Sequence, residues 1–133
     1  VAGRFVLVRH GETEWSKSGQ HTGRTDLPLT ENGRQQALLI GSRLRKCRFG
    51  LVLSSPRLRA RQTCELAGFG SQVQIADDLA EWDYGDYEGR RTADIRVERP
   101  GWHLWDDDAP GGETAEQVGA RADRVIARVR EAD

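Results

Sequence analysis

Apolar residues in this chain come in short blocks separated by polar stretches, and the period inside each block predicts its conformation. Phe5-Val6-Leu7-Val8 is wholly apolar, with β-branched Val6 and Val8, the pattern of a strand buried on both faces. Residues 11–28 are rich in Gly, Ser and Thr and predict no regular element. From Thr30, a good N-cap, the pattern turns helical, with Ala37, Ile40, Gly41 and Leu44 on one face and Leu38 at its edge. Gly50-Leu51-Val52-Leu53 is a second buried strand, ending in Ser54-Ser55. Pro56 behind Ser55 predicts a helix that the serine caps and that runs to about Ala67, where Gly68 and Gly70 stop it. Val73-Gln74-Ile75 is a weak third strand, residues 78–89 are irregular, and Thr92–Glu98 is a short helix ended by Pro100. Thr114-Ala115-Glu116-Gln117 has capping-box spacing, and Val118, Ala122, Val125 and Val129 behind it form a helical stripe.

The order of strand, helix, strand, helix, strand and then helices argues for an α/β layer fold, a mostly parallel sheet flanked by helices. The length of 133 residues suits one domain over residues 1–133, with no internal repeat or linker. Three strands are few for such a sheet, so at least one more is expected beyond Asp133. The lack of any methionine and the start at Val1 read as a lost initiator, and the stop at Asp133 inside a helical pattern agrees with the missing strand: the chain reads as truncated at its C-terminus.

Composition narrows the function classes. Charged residues make up 31% and hydrophobic ones 37%, and no apolar run approaches the roughly 20 residues of a membrane-spanning helix. A net charge of −1 gives no reason to expect binding to nucleic acid or anionic lipid. No targeting segment is visible. Two cysteines, Cys47 and Cys64, are too few for a disulfide framework or a four-cysteine zinc site, and read as buried thiols of a cytoplasmic protein.

Ligands of open α/β sheets gather outside the carboxyl ends of the strands. Three polar clusters fall there: Arg9-His10-Gly11-Glu12-Thr13, Ser55-Pro56-Arg57-Leu58-Arg59-Ala60 and Glu81-Trp82-Asp83-Tyr84-Gly85. Two arginines offer fixed forks of donors that match phosphate oxygens. A neutral imidazole is a nucleophile able to carry a covalent intermediate, and a carboxyl in a partly desolvated pocket can protonate a leaving oxygen. Together these groups specify phosphoryl transfer through a phosphohistidine. A lone histidine would read as structural; His10, between Arg9 and Gly11 at a strand end, does not.

The run from Leu7 through Arg9-His10-Gly11-Glu12-Thr13 resembles the signature of the histidine phosphatase superfamily, the phosphoglycerate mutase-like proteins. The likeness continues at Thr22-Gly23, Asp26, Leu29-Thr30, Gly33 and Gln36-Ala37, then over residues 55–63 and 79–89, and at Gly112-Glu113. This resemblance implies a phosphoglycerate mutase-like fold, with His10 as the phosphorylated nucleophile, Arg9 and Arg59 as phosphate ligands, and Glu81 as the proton donor. It implies that Tyr84 lies beside the substrate and that Ser16, Thr22 and Gly23 belong to the loop covering it. Helical phase supports Arg59, which points about 200° from Arg57. Arg57 and Arg61, four residues apart, read as a solvated face.

The family also uses a second histidine in a His-Gly motif on a late strand. Neither His21 nor His103 follows a suitable strand, so that residue is expected past Asp133. The family chemistry needs no metal or other cofactor. Asp106-Asp107-Asp108 beside His103 lacks the alternating spacing of a calcium loop and reads as a solvated acidic loop packed down by Trp102 and Trp105. The short stretch of residues 81–113 lacks the long insertion of the mutases, and Gly89-Arg90-Arg91-Thr92 lacks their lysine. Both features favour hydrolysis over phosphoglycerate mutase activity. Residues 81–89 and 13–20 resemble the sugar-bisphosphatase members of the phosphatase branch, which implies a small phosphorylated metabolite, a sugar phosphate or bisphosphate, as substrate. Lys17, Arg24, Arg90 and Arg91 are candidates to meet a second phosphate. A non-catalytic phospho-ligand or protein-interaction module is the rival from another class. Self-association is left open.

Overall fold

A computed structural model describes residues 3–132. Its regular elements are helices α1 (Glu14–Ser18) and α2 (Glu31–Leu44), strand β1 (Leu53–Ser54), helix α3 (Leu58–Leu66), strand β2 (Gln74–Ile75), and helices α4 (Thr92–Glu98), α5 (Leu104–Asp107) and α6 (Ala115–Glu131). Two 3-10 turns, Asp77–Leu79 and Gly85–Tyr87, break the stretch between β2 and α4. The result is an α/β fold in which β1 and β2 pair in parallel, Leu53 opposite Gln74 and Ser54 opposite Ile75, with α3 as the crossover.

Local chemistry explains most boundaries. Thr30 caps α2 by accepting from the Gly33 amide, and Thr114 and Gln117 form the reciprocal capping box of α6. Gly41 lets α2 close on the end of α3; a Cβ there would lie 2.8 Å from the Ala67 carbonyl oxygen. Helix α3 differs from expectation. It starts at Leu58 rather than Pro56, and Ser55 does not cap it; the Ser55 hydroxyl accepts from the Arg57 amide (3.2 Å). The first helical N–H, that of Leu58, goes instead to Asp26 Oδ1 at 2.7 Å, because a carboxylate from the preceding loop is the stronger acceptor at a helix N-terminus. The irregular residues 11–28 also hold one short helix, α1, capped reciprocally by Thr13 and Ser16.

Residues 5–8 form no strand, contrary to the sequence pattern. Phe5, Val6, Leu7 and Val8 are all exposed, Leu7 to 95%, and their backbone makes no backbone–backbone hydrogen bond among the described residues. A strand exists only by its ladder, and residues 3–132 place no second strand beside this one. The second predicted strand is likewise reduced to its last residue plus Ser54. Both cysteines are free, Cys47 exposed and Cys64 half-buried, so the expectation of two buried thiols fails for Cys47. The predicted stripe of α6 is only half covered: Val118, Val125 and Val129 are intermediate and Ala122 is exposed.

The buried core lies beneath residues 81–113, where Tyr87, Ile95, Trp102 and Ala109 pack with Tyr84 and Leu104. Between residues 5–8, the sheet and helices α2, α3 and α6 runs a trough of about 440 Å³, apolar along most of its length. Ile40, Leu44, Leu53, Val125 and Val129 are on its walls. No helix among the described residues is long and apolar enough to cross a membrane.

Candidate active site

The polar end of the trough collects Arg9, His10, Arg57, Arg59 and Glu81. His10 is placed by the turn that succeeds it in the chain. The Gly11 amide donates to the Thr63 hydroxyl (3.0 Å), which itself donates to the Arg59 carbonyl (2.7 Å). The Thr30 amide donates to the Glu12 carbonyl at 2.9 Å. A Cβ on Gly11 would collide with the Gly33 backbone, and one on Gly33 with the Glu12 backbone. The turn after His10 is thereby pinned to the N-terminus of α2 and the middle of α3.

His10 itself is half-buried, with Nδ1 2.7 Å from the Gly11 carbonyl oxygen. A carbonyl only accepts, so Nδ1 carries the proton and Nε2 of the neutral ring keeps its lone pair. Burial holds the imidazole below its ordinary value of 6.5. The charges of Arg59 and Arg9 act in the same direction, against the Gly11 hydrogen bond and Glu81. At neutral pH the ring is therefore uncharged and nucleophilic at Nε2.

Arg59 is 2% exposed and serves two purposes at once. Its Nη1 donates to the Thr25 carbonyl, and its Nη2 to those of Thr22 and Gly23, all at 3.0 Å. The Nε–H and one Nη1–H make no hydrogen bond among the described residues, and the charge is felt at His10. The same loop is gripped on its amide side by Glu88, which accepts from Gly23 N (2.9 and 3.0 Å to its two oxygens) and Thr25 N (2.9 Å). A carboxylate on the amides and a guanidinium on the carbonyls fix residues 22–25 from both sides.

Glu81 is exposed and faces the cleft. Its Oε1 accepts from the Trp82 amide at 2.9 Å and, at 3.4 Å, from the Tyr84 hydroxyl. Burial above all, with the Glu81 charge second, pushes the Tyr84 phenol far above its usual value, so it stays a neutral donor. The loop bearing Glu81 is held from behind by Glu113 and Arg121. Glu113 Oε1 accepts from Asp83 N (2.9 Å), and Arg121 forks onto both Glu113 oxygens at 2.7 and 2.8 Å. Arg121 Nη1 also bonds the carbonyls of Asp78 and Ala80. The fork holds the Glu113 carboxyl below its usual value.

Of the residues singled out in the sequence, His10, Arg9, Arg59 and Glu81 come together on one cleft wall. Ser16, Thr22, Gly23 and Tyr84 are not on that wall. The Ser16 hydroxyl accepts from Thr13 N (2.8 Å) and donates to Thr13 O (3.1 Å), Thr22 Oγ1 donates to Gln20 O (3.2 Å), and Gly23 N is taken by Glu88. His21 is wedged against Tyr84, ring centroids 4.9 Å apart, and donates from Nδ1 to the Arg90 carbonyl at 2.6 Å. His103 is the exposed cap of α5. Of the basic residues considered for a second phosphate, Arg24 is paired with Asp83 (3.1 Å) and Arg90 with Glu98 (2.9 Å). Arg57 departs from the sequence reading. It does not share an exposed helical face with Arg61, because it is the cap before α3, with extended backbone (φ −69°, ψ 142°), and it lines the cleft. Arg61 is exposed, its Nε donating to the Pro56 carbonyl. Sequence reasoning also missed the clamp role of Glu88 and the Glu113–Arg121 brace, since partners 65 residues and eight residues apart carry no local signal.

A neutral histidine in a cationic cleft, with an exposed carboxyl group lining the same cleft, on an α/β scaffold, defines the class: a site built to take an oxyanion against an imidazole. Residues 5–133 match the histidine phosphatase superfamily (branch 1), and the chain belongs to that family. It is 44% identical to a sedoheptulose 1,7-bisphosphatase of Saccharomyces cerevisiae, over 96% of this chain and 55% of the relative. It is 45% identical to an acid phosphatase of Mycobacterium tuberculosis, over 93% of this chain and 62% of that one. The solved structure of an open reading frame from Mycobacterium tuberculosis superimposes with a TM-score of 0.85 at 45% identity, covering 92% of this chain and 64% of that chain. The chain thus spans between about half and two thirds of the length of these relatives.

Proposed function

We propose that the protein is a metal-independent phosphomonoester hydrolase working through a phosphohistidine at His10. The observation that carries the reading is the His10 tautomer: Nδ1–H is committed to the Gly11 carbonyl, and Nε2 is left as the nucleophile of a neutral ring beside Arg59 and Glu81. Nε2 attacks phosphorus in line with the ester oxygen while Arg9 and Arg59 balance the charge on the equatorial oxygens. The P–O ester bond breaks and the departing alkoxide takes the proton of Glu81, with Tyr84 steadying that carboxyl. Water then attacks the phosphohistidine, returns a proton to Glu81, and leaves inorganic phosphate and free His10. The substrate is a small phosphorylated metabolite, a sugar phosphate or bisphosphate, as the names of the relatives suggest. Two unpaired cysteines fit a cytoplasmic location. Residues 1–133 belong to a single domain, and the trough beside residues 5–8 takes a further strand that brings a second histidine to the phosphate. That placement rests on the unpaired backbone of residues 5–8 and on the share of the relatives covered.

Brief exposure of the intact protein to substrate should leave an acid-labile, base-stable phosphoryl group on His10, and His10→Gln should lower turnover by about 10⁴-fold or more. A label on His21 or His103 would overturn the mechanism. No label, with tight phosphate binding, would favour a non-catalytic module; transfer to an acceptor instead of water would mark a mutase. Glu81→Gln should slow alkyl phosphates by about 10²–10⁴-fold but p-nitrophenyl phosphate much less, since nitrophenolate leaves unprotonated. Equal losses would remove Glu81 from that role. The acid limb of the rate should fall below pH 6.5, where His10 takes its proton. Arg9→Gln should move that limb upward by removing a charge that disfavours protonation.

A further inference from the structure

Among buried side-chain nitrogens and oxygens of the described residues, Arg57 Nε is the one with no hydrogen-bond partner. Such an atom calls for an explanation, because a buried guanidinium N–H left unmade costs its full desolvation. The Arg57 backbone is fully occupied and cannot swing to find one. The amide donates to Ser55 Oγ at 3.2 Å, and the carbonyl accepts from Ala60 N (3.1 Å) and Arg61 N (3.0 Å). The extended backbone at this cap sends the side chain to the cleft wall that carries His10, Arg59 and Glu81.

Charge sharpens the case. Arg24, Arg90, Arg121 and Arg124 each face a carboxylate within 3.1 Å. Arg57 has no such partner among the described residues, and its neighbour in the cleft is a second cation, Arg59, whose proton affinity it lowers. Two guanidinium groups held near one another in a partly buried cleft repel, and an anion between them relieves the repulsion while supplying the missing acceptor. An apolar or neutral ligand would do neither.

We propose that Arg57 is a substrate-binding residue that donates Nε–H, together with an Nη–H, to the oxygens of a phosphate dianion. This rests on the reading of the cleft as a phosphate-ester site and adds a specificity residue to it. Arg59 has three carbonyl bonds to keep, whereas the Arg57 side chain makes no hydrogen bond among the described residues and is free to fork onto the ligand beside it.

The test is Arg57→Gln and Arg57→Lys in the intact protein, with Arg61→Gln as the exposed control. The readouts are KM and kcat on p-nitrophenyl phosphate and on a sugar bisphosphate, and the inhibition constant of orthophosphate. Losing a bidentate charged contact should raise KM about 10- to 100-fold with a smaller change in kcat. Lysine should recover part of the loss, and Arg61→Gln should match wild type. A parallel rise in the orthophosphate constant places Arg57 on the phosphoryl group transferred; a rise confined to the bisphosphate KM places it on the second phosphate. KM and orthophosphate values equal to wild type in both variants overturn the proposal and leave the phosphatase reading intact. If Arg57→Gln does not fold, Arg57→Lys is read alone by the same criteria. Wild-type protein that neither hydrolyses esters nor binds orthophosphate overturns both.

Discussion

Around Ile95 the chain closes on itself, whereas at residues 5–8 it lies open. Ile95 is wholly buried with Trp102 and Tyr87, the Trp102 indole N–H reaches the Asp108 carbonyl at 2.9 Å, and Arg99 donates to the Tyr87 hydroxyl at 3.0 Å. Residues 5–8 carry four apolar side chains into an unfilled trough with no ladder among the described residues. The candidate site straddles both regions. Glu113 and Arg121 brace the loop of Glu81, Glu88 ties residues 22–25 to the closed region, and Arg59 of α3 holds those residues from the trough side. His10 is anchored firmly only from Gly11 onward. The carboxyl side of the site is thus preorganised by these ion pairs and hydrogen bonds, and the entry to His10 is the part that further structure would tighten.

The largest effect on stability should come from Ile95→Ala, which removes a fully buried side chain from the closed region. Such deletions cost about 2–5 kcal/mol, and the aromatic rings around this one leave little room to collapse. Chemical denaturation of the intact protein checks it; a cost under about 1 kcal/mol would mean that the region is not the tightly packed one.

Next comes Arg121→Met, which leaves the Glu113 carboxylate, the Asp78 and Ala80 carbonyls and the Glu81 loop without their brace. Losing charged hydrogen bonds costs about 1.5–3 kcal/mol. The sign of its pH dependence comes from Glu113, whose native value lies below the ordinary 4.5. The unfolded chain takes up this proton first as pH falls, so the stabilisation is present above pH 4.5 and fades through the lowered native value. The wild type should therefore lose stability over that window more steeply than Arg121→Met. Parallel curves would show that the brace does not act through Glu113.

The helices are largely legible in the sequence and the sheet is not, and the reason is physical. Thr30, Thr114 and Gln117 act within three residues of their partners, so caps can be read from spacing. A buried strand is a statement about neighbours, and Phe5-Val6-Leu7-Val8 has the composition of one without the ladder. His10, Arg9, Arg59 and Glu81 are legible because each follows an apolar run or a familiar motif. Arg57 is misread when helical phase is extended one residue before the helix begins. Glu88 and Arg121 are illegible as functional residues, because their partners are loop amides and carbonyls far away in sequence.

The smallest effect is the sharpest test of the open region. Leu7 is 95% exposed, and threonine keeps a good strand-forming residue in its place while removing apolar surface. In a chain ending at Asp133, Leu7→Thr should shift stability by less than about 0.5 kcal/mol, as exposed substitutions do. If a longer chain seats a further strand in the trough, as proposed above, the same change there should cost about 1.5–3 kcal/mol, the worth of a buried leucine. The short chain should also aggregate less as the threonine variant, since an unpaired apolar edge is what draws chains together. Equal small costs in both lengths would remove the strand from the trough, and a large cost in the short chain would mean that residues 5–8 already pack against something within it. Amide exchange of residues 5–8, rapid in the short chain and slowed in the long one, separates pairing of the backbone from burial of the Leu7 side chain.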